Sequence, residues 1–451
     1  MTRTRCLWAA MAIGSLAACA NPTVPDLNNG SVSDFQSNPT GVNANALVIG
    51  MIRGARDNTA NIVQTLGMFG REGYEMSVSR GDLPLYITGP LTPGTFFLAQ
   101  TWNTQYADLR AANILLDALG NVPDLTATQK EAMRGFVQTM EAFDLTQLAA
   151  TRDTFGLPIS VDIPATGPPA PIVSKALVYQ HIYSLLDSAQ THLQAGGAAF
   201  SFTLPPGFTG FTTPASFLTV NRALRARVDL LLSDYTDALT DLSASFINTS
   251  ASLTLGPSFD FTNNSGDETN PLFQPYFYAE PSLVSDAQLQ AGGARDLRVQ
   301  TKLDSVTPFT FNNITSSWQF TLYTSTTASL SMIRNEELIL MRAEANLGLG
   351  QTGAALGDIN FIRETSGGLP ASTLTAASPA SAVLAELLYN KRYSLLWEGG
   401  HSWIDYRQYG LLAELPEQNS SERVFPLMPF PLAECQGQSG SPSGCGTVAG
   451  F

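Results

Sequence analysis

The residues that could do chemistry are few, and their spacing removes most reaction types. Three histidines, His181, His192 and His401, are the only imidazoles in 451 residues. None stands in H-E-x-x-H or another close His/carboxylate spacing, so the sequence offers no catalytic zinc site. The nucleophile elbow G-x-S-x-G, which exposes a serine on a strained turn, does not occur. Gly348-Leu349-Gly350-Gln351-Thr352-Gly353 fits G-x-G-x-x-G, but it follows a helix. A dinucleotide fingerprint must follow a strand to bring its glycines under a pyrophosphate, so the segment reads as a helical-hairpin turn and no cofactor is implied. Arg80-Gly81-Asp82 matches an adhesion tripeptide; three residues in a chain of this length arise by chance. Carboxylates are plentiful, yet glycoside hydrolysis needs two of them about 5–9.5 Å apart in one cleft, and the sequence singles out no pair.

Binding chemistry is better represented. Tyr74, Tyr86, Tyr276, Phe277, Tyr278, Trp318, Phe320 and Tyr323 stand in segments with few aliphatic neighbours. A flat ring exposed on a loop stacks on the apolar face of a sugar or on a peptide side chain, while nearby Asn, Asp and Arg supply orienting hydrogen bonds. The candidate ligand contacts are Tyr74, Tyr276, Tyr278, Trp318 and Tyr323. The competing reading is that such rings plug back onto the helices. Trp102, at the start of a helix, reads as core.

Composition narrows the partners. Apolar residues make up 44% and charged residues 14%, which describes a globular chain with a low-charge surface. The 24 basic and 38 acidic side chains give a net charge of −14. A phosphate-backbone partner needs clustered Lys and Arg, so nucleic acid is set aside. With 37 Gly and 27 Pro, long loops between the ordered elements are expected.

Arg3 and Arg5 precede an apolar run at residues 7–18, too short to cross about 30 Å of hydrocarbon as a helix and typical of a secretory leader. The run ends in Leu16-Ala17-Ala18-Cys19, which resembles the lipobox of bacterial lipoproteins; residues 1–18 would be removed and Cys19 lipidated. Residues 19–42, with Pro22 and Pro25, read as a tether. An acylated protein of this kind lies on the membrane without spanning it. Cys6 leaves with the leader and Cys19 carries lipid, so Cys435 and Cys445 are expected to pair in an oxidising, exported setting. A metal site there would lack a second pair of ligands.

The rest, 43–451, reads as helices joined by long loops. Apolar residues at three- and four-residue spacing place helices near 43–68, 98–119, 126–149, 174–194, 215–231, 235–246, 334–349, 354–365, 380–398 and 403–412. Thr126-Ala127-Thr128-Gln129 opens one of them with a capping box, and Phe136, Met140, Phe143 and Leu148 then share a face. Residues 152–173 and 196–214 are Pro/Gly-rich connections. Residues 250–333 read as a loop-rich insertion with a small hairpin, and the tail from about 415 to 451 has no clear periodicity.

An internal repeat is the most informative feature. Residues 225–242 align without gaps on 342–359, with identities at Arg225/Arg342, Ala226/Ala343, Leu230/Leu347, Leu232/Leu349, Ala238/Ala355, Leu239/Leu356 and Asp241/Asp358. Small alanines let two helices approach, and breaks at Ser233-Asp234 and Gly350-Gln351 reverse the chain. This is tetratricopeptide-like logic, in which stacked helical pairs share one core and leave inserted loops free. The fold class expected is mainly α, stacked helical pairs with long irregular insertions.

These segments, in order, resemble the SusD/RagB-like nutrient-binding outer-membrane lipoproteins. Asn335-Glu336-Glu337-Leu338-Ile339-Leu340-Met341-Arg342-Ala343-Glu344-Ala345, running on to Ala355 and Ile359-Asn360-Phe361-Ile362-Arg363, is similar to that family's helical pair. Leu388-Tyr389-Asn390-Lys391-Arg392-Tyr393, with Leu395, Glu398-Gly399 and Asp405-Tyr406-Arg407, looks like a later family stretch. Trp102, Tyr106, Asn113 and Met140-Glu141-Ala142-Phe143-Asp144-Leu145 resemble the first pair, followed by Gly156-Leu157-Pro158-Ile159 and Val178-Tyr179-Gln180-His181-Ile182. Asn390, Lys391 and His401 depart from the family pattern at positions that read as structural. The resemblance implies a surface-exposed lipoprotein, anchored in the outer membrane, without catalysis. It would bind an oligosaccharide or another nutrient oligomer such as a peptide, and deliver it to a SusC-like TonB-dependent transporter. The alternatives are an exported glycan-degrading enzyme and a helical-repeat scaffold without a small ligand.

Overall fold

Local signals set where the helices begin. In this computed structural model, which describes residues 32–79, 86–163 and 167–451, Thr126 Oγ1 accepts from the Gln129 backbone N–H at 3.2 Å. The Gln129 side chain in turn accepts from the Thr126 N–H at 3.0 Å, closing the capping box that the sequence spells. Thr213 and Pro214 start another helix in the same manner, the proline occupying a first-turn position that needs no N–H. The leader, Cys19 and Arg80-Gly81-Asp82 lie outside the described residues.

Ten helices of eight or more residues follow among the described residues. They are α1 (Gly41–Phe69), α2 (Gln100–Leu119), α3 (Ala127–Arg152), α4 (Lys175–Ala195), α5 (Pro214–Leu231), α6 (Tyr235–Ser243), α7 (Asn335–Gly348), α8 (Thr352–Thr365), α9 (Ala380–Ser394) and α10 (His401–Gln408). Each from α1 to α6 packs on the next, and α7 packs against α6, α8 and α9. The fold is mainly α and built of stacked helical pairs. None of these helices is long and apolar enough to cross a membrane.

The repeat is structural. Ser233 and Gly350 occupy equivalent positions and both take left-handed φ, 60° and 73°. The following residues close matching turns, Asp234 N–H to Asp229 O and Gln351 N–H to Asn346 O, each at 2.8 Å. The paired alanines 226/343 and 238/355 are all fully buried, and the paired Leu232 and Leu349 are both exposed. The pairs differ in their ions. Arg342 grips Asp358 with two bonds of 2.9 and 2.7 Å. In the first pair Arg222 takes Asp241 at 3.1 Å, and Arg225 turns to Asp187 and Asp229 and lies over the Tyr183 ring.

The insertion at 250–333 carries more strand than its sequence suggests. Phe277–Ala279 (β5), Leu303–Phe311 (β6) and Ile314–Phe320 (β7) join Gly73–Glu75 (β1) in a sheet ordered β1-β5-β7-β6. Asn312 and Asn313, with φ of 50° and 62°, form the two-residue turn between β6 and β7 that such conformations favour. Short antiparallel pairs join Leu157–Pro158 (β2) to Ile172–Val173 (β3) and Ser258–Phe259 (β4) to Leu330–Ser331 (β8). Partners of β1 lie about two hundred positions away, which no local pattern can reveal.

Where the sequence reads a helix to 398, α9 stops at Ser394. Trp397 takes a left-handed φ of 58°, and its N–H donates to the buried Glu72 carboxylate at 2.7 Å. Burial pushes the Glu72 carboxyl up to about 7, against the hydrogen bonds from Trp397 and Ser402. The aperiodic tail folds back onto the helices: Trp403 Nε1 donates to Phe425 O at 2.7 Å, and Val424, Phe425, Met428 and Phe430 are buried.

Acidic side chains cluster between α1, α2 and α3. Asn58 Nδ2 donates to Asp108 at 2.8 Å. Burial raises Asp108 to about 7 and Glu141 to about 8, and, helped by the charge of Asp108, holds Asp144 well above the usual carboxylate range. The folded chain therefore holds protons that the unfolded chain releases near pH 4. Stability from these groups is full at acid pH and is lost as pH rises through their folded values. The expected result is a lower unfolding midpoint at about pH 9 than at about pH 6, with Glu141→Gln flattening the profile by a few kcal/mol. A Glu141→Gln profile parallel to the parent's would contradict this.

Candidate functional site

An open groove of about 470 Å³ lies over α2. Its floor comes from one face of α2, where Trp102, Asn103, Tyr106 and Arg110 follow each other at helical spacing. One wall is the connection after β2, with Pro158, Ser160 and Val161; a second is Pro168, Pro169 and Ala170; Glu434 completes the rim.

Each wall is held by named bonds. Tyr106 Oη donates to Pro158 O at 2.7 Å, and Arg110 Nη1 donates to Val161 O. These bonds strap the connection to α2. Gly156, with φ 74°, starts β2 where a side chain would meet the Val173 carbonyl. Glu434 sits on the short helix Leu432–Gly437, beside the disulfide that joins Cys435 to Cys445 across a Cα separation of 5.5 Å. Gln438 ties this tail to the far wall through Ala170 O at 2.6 Å.

The floor is aromatic and cationic beneath. Trp102 is 4% exposed; its ring lies 4.7 Å from Tyr106 and 5.3 Å from Phe430, with the Arg152 guanidinium 5.0 Å away. Burial lowers Arg152 to about 9, so it stays charged at neutral pH. Tyr106 is half-buried and Asn103 exposed. Asn103 and Ser160 make no side-chain hydrogen bond with other described residues. The surface thus offers an apolar floor of two rings tilted by 43°, free amide and hydroxyl groups on its rim, and one positive and one negative side chain. That combination suits a neutral, hydroxyl-rich ligand.

The aromatics singled out by sequence lie elsewhere; none of the five lines this groove. Tyr74 is fully buried in β1 and donates to Glu280. Tyr323 is buried and donates to Trp397 O at 3.0 Å. These two are corrections: pairing of β1 with β5 draws the Tyr74 ring inward, and the bond to Trp397 O holds the Tyr323 ring in the interior. Tyr278 and Trp318 are half-buried on the four-stranded sheet, and Tyr276 is half-buried in the turn just before β5. Tyr278 is in register with Gln319, so it leaves the sheet on the face opposite Trp318 and the two form no common platform. Trp102 is core, as its helix position indicates, yet its edge reaches the groove. Sequence reasoning missed Asn103, Arg110, Ser160 and Glu434, whose only local signal is the helical spacing of 102, 103, 106 and 110. Among the described residues no group of three or more His, Cys, Asp or Glu side chains is arranged to hold a metal ion.

No protein-family model matches the sequence, and no curated protein matches it. Solved structures do. A SusD superfamily protein from Bacteroides vulgatus superposes with a TM-score of 0.68 at 14% identity, over 92% of this chain and 99% of that one. A SusD/RagB family protein from Bacteroides thetaiotaomicron gives 0.61 at 16%, over 88% and 94%. A protein described as a laminarin-binding SusD-like protein gives 0.58 at 15%, over 90% and 99%. At such identities the likeness is one of fold, and it extends over nearly the whole of each structure: the chain has the SusD-like fold, the one its helical pairs resemble in sequence.

Proposed function

We propose that this chain is a binding protein that captures a neutral oligosaccharide in the groove over α2 and passes it to a SusC-like TonB-dependent outer-membrane transporter. A lipid on Cys19 would hold it at the cell surface. The observation that carries the reading is the groove itself, an aromatic floor with unpaired amide and hydroxyl groups at its rim. The fold supports it, since one protein that shares it is described as binding laminarin. The residues before Cys19 support the anchor. Among the described residues Glu434 is the one carboxylate lining the groove, where glycoside hydrolysis would need two, so binding and release is favoured over catalysis.

Calorimetric titration with laminarin oligosaccharides and other neutral glucans tests the groove. The parent should bind at least one of them, and Asn103→Ala combined with Tyr106→Ala should weaken that affinity about tenfold or more, the loss of a stacking ring and a hydrogen-bonding amide together. Tyr278→Ala, on the sheet, should leave it unchanged. Binding that survives the double substitution would place the ligand elsewhere. Co-purification of a TonB-dependent barrel with the membrane-extracted chain checks the transporter half of the reading.

A further inference from the structure

A second space lies inside the helical array. Helices α1, α3, α5, α7, α9 and α10 surround a chamber of about 100 Å³ that shares no lining residue with the groove. Ile62, Leu66, Phe143, Leu224, Met332 and Met341 give it apolar lining; Arg227, Lys391, His401, Asp405 and Gln408 give it polar lining. A stable empty cavity is apolar, and buried polar groups are as a rule hydrogen-bonded.

Several of these polar groups keep capacity in reserve. No described residue hydrogen-bonds the His401 ring. Gln408 donates its amide to Leu230 O at 2.7 Å, which leaves its carbonyl oxygen. Asp405 receives Lys391 on Oδ1 at 2.6 Å, which leaves Oδ2. Arg227 spends Nε and Nη2 on Glu337 and Met332 O, which leaves Nη1. The reserve thus mixes donors and acceptors.

Each cation of the lining, by contrast, is already paired, and burial raises the second carboxyl of the Lys391 cluster, Asp405, to about 7, so that it readily holds a proton. Lys391 is held by Glu344 and Asp405, Arg227 by Glu337, and Glu398 by Arg334. Burial, with Arg227 and Lys391 nearby, holds His401 well below its usual value, so its ring is neutral. An anion would enter with no free counter-charge, and a cation would first have to displace the proton that burial favours on Asp405, so a neutral molecule is favoured. A hydroxyl both donates and accepts and can serve every group in reserve. The volume equals about three waters of liquid, room for roughly four to six non-hydrogen atoms.

We propose that the chamber is a second binding site, for one small neutral polyol of about glycerol size. Its hydroxyls would engage His401, Gln408, Asp405 and Arg227, and its carbon backbone would lie against Phe143 and Met341. The proposal does not depend on the oligosaccharide reading of the groove.

The test is a glycerol titration of the full chain, followed by the imidazole nitrogen signals of its three histidines. His181 and His192 lie outside the chamber and serve as internal controls. A saturable shift confined to His401 is expected. It should vanish in Met341→Trp, which fills the space, and its midpoint should move about threefold or more in Gln408→Met. A His401 signal that moves linearly with glycerol, or in step with the other two, would overturn the site, as would saturation that persists in Met341→Trp. If Met341→Trp does not fold, Gln408→Met decides alone, and an unchanged midpoint refutes the proposal.

Discussion

Replacing Lys391 by methionine is expected to destabilise the protein by about 3–5 kcal/mol, the range for breaking a buried ion pair from one side. Lys391 Nζ bridges Glu344 at 2.8 Å and Asp405 at 2.6 Å, and all three side chains are buried. Burial alone would lower the lysine's pKa; the charges of Asp405 and Glu344 reverse that and raise it. Burial also pushes Asp405 up to about 7 against the pull of Lys391. Without the ammonium, the two carboxylates face each other in the interior with Tyr409, at 2.8 Å from Glu344, as the one remaining side-chain donor among the described residues. They would take up protons to relieve the repulsion, so the loss should be greatest at alkaline pH. Denaturant unfolding measures it. The companion variant Lys391→Met/Glu344→Gln/Asp405→Asn removes the charges together and should recover most of the loss. A single variant within about 0.5 kcal/mol of the parent would mean the triad is solvated after all.

Gly156→Ala should damage the groove without touching its lining. At φ 74° a β-carbon is strained in any case, and here it would stand 1.8 Å from the Val173 carbonyl oxygen. Backbone cannot yield as a side-chain tip can, so the β2–β3 pairing, Leu157 to Val173 and Pro158 to Ile172, has to open. Pro158 O and Val161 O are the acceptors that strap this connection to Tyr106 and Arg110. We expect about 1–3 kcal/mol of lost stability and, on the proposed function, oligosaccharide affinity reduced by an order of magnitude or more. Titration and unfolding on the same sample check both. An alanine variant with the parent's affinity and midpoint would show that the turn does not hold the wall.

Much of the helical framework is legible without coordinates. The capping box at Thr126, the repeat from Arg225 to Asp241 and from Arg342 to Asp358, and the glycine turn at Gly350 are local patterns. Each states its structure within about one helical pair, because intrahelical bonds and caps join near neighbours. The binding surface is less legible. Trp102 and Tyr106 are visible as a helical face, but Glu434, on the tail, comes to the same groove from more than three hundred positions away.

By itself, then, the sequence determined the helices, their pairing and the low overall charge of the chain. It also marked Cys435 and Cys445 as partners and Lys391 as a structural departure from the family pattern. The tertiary structure alone decided which aromatics are buried, since Tyr74 and Tyr323 are drawn inward by strand pairing and by a bond to Trp397 O. It alone assembled the groove and the interior chamber. Helix formation is written in contacts three and four residues apart, whereas a concave site exists only where distant segments close on one another.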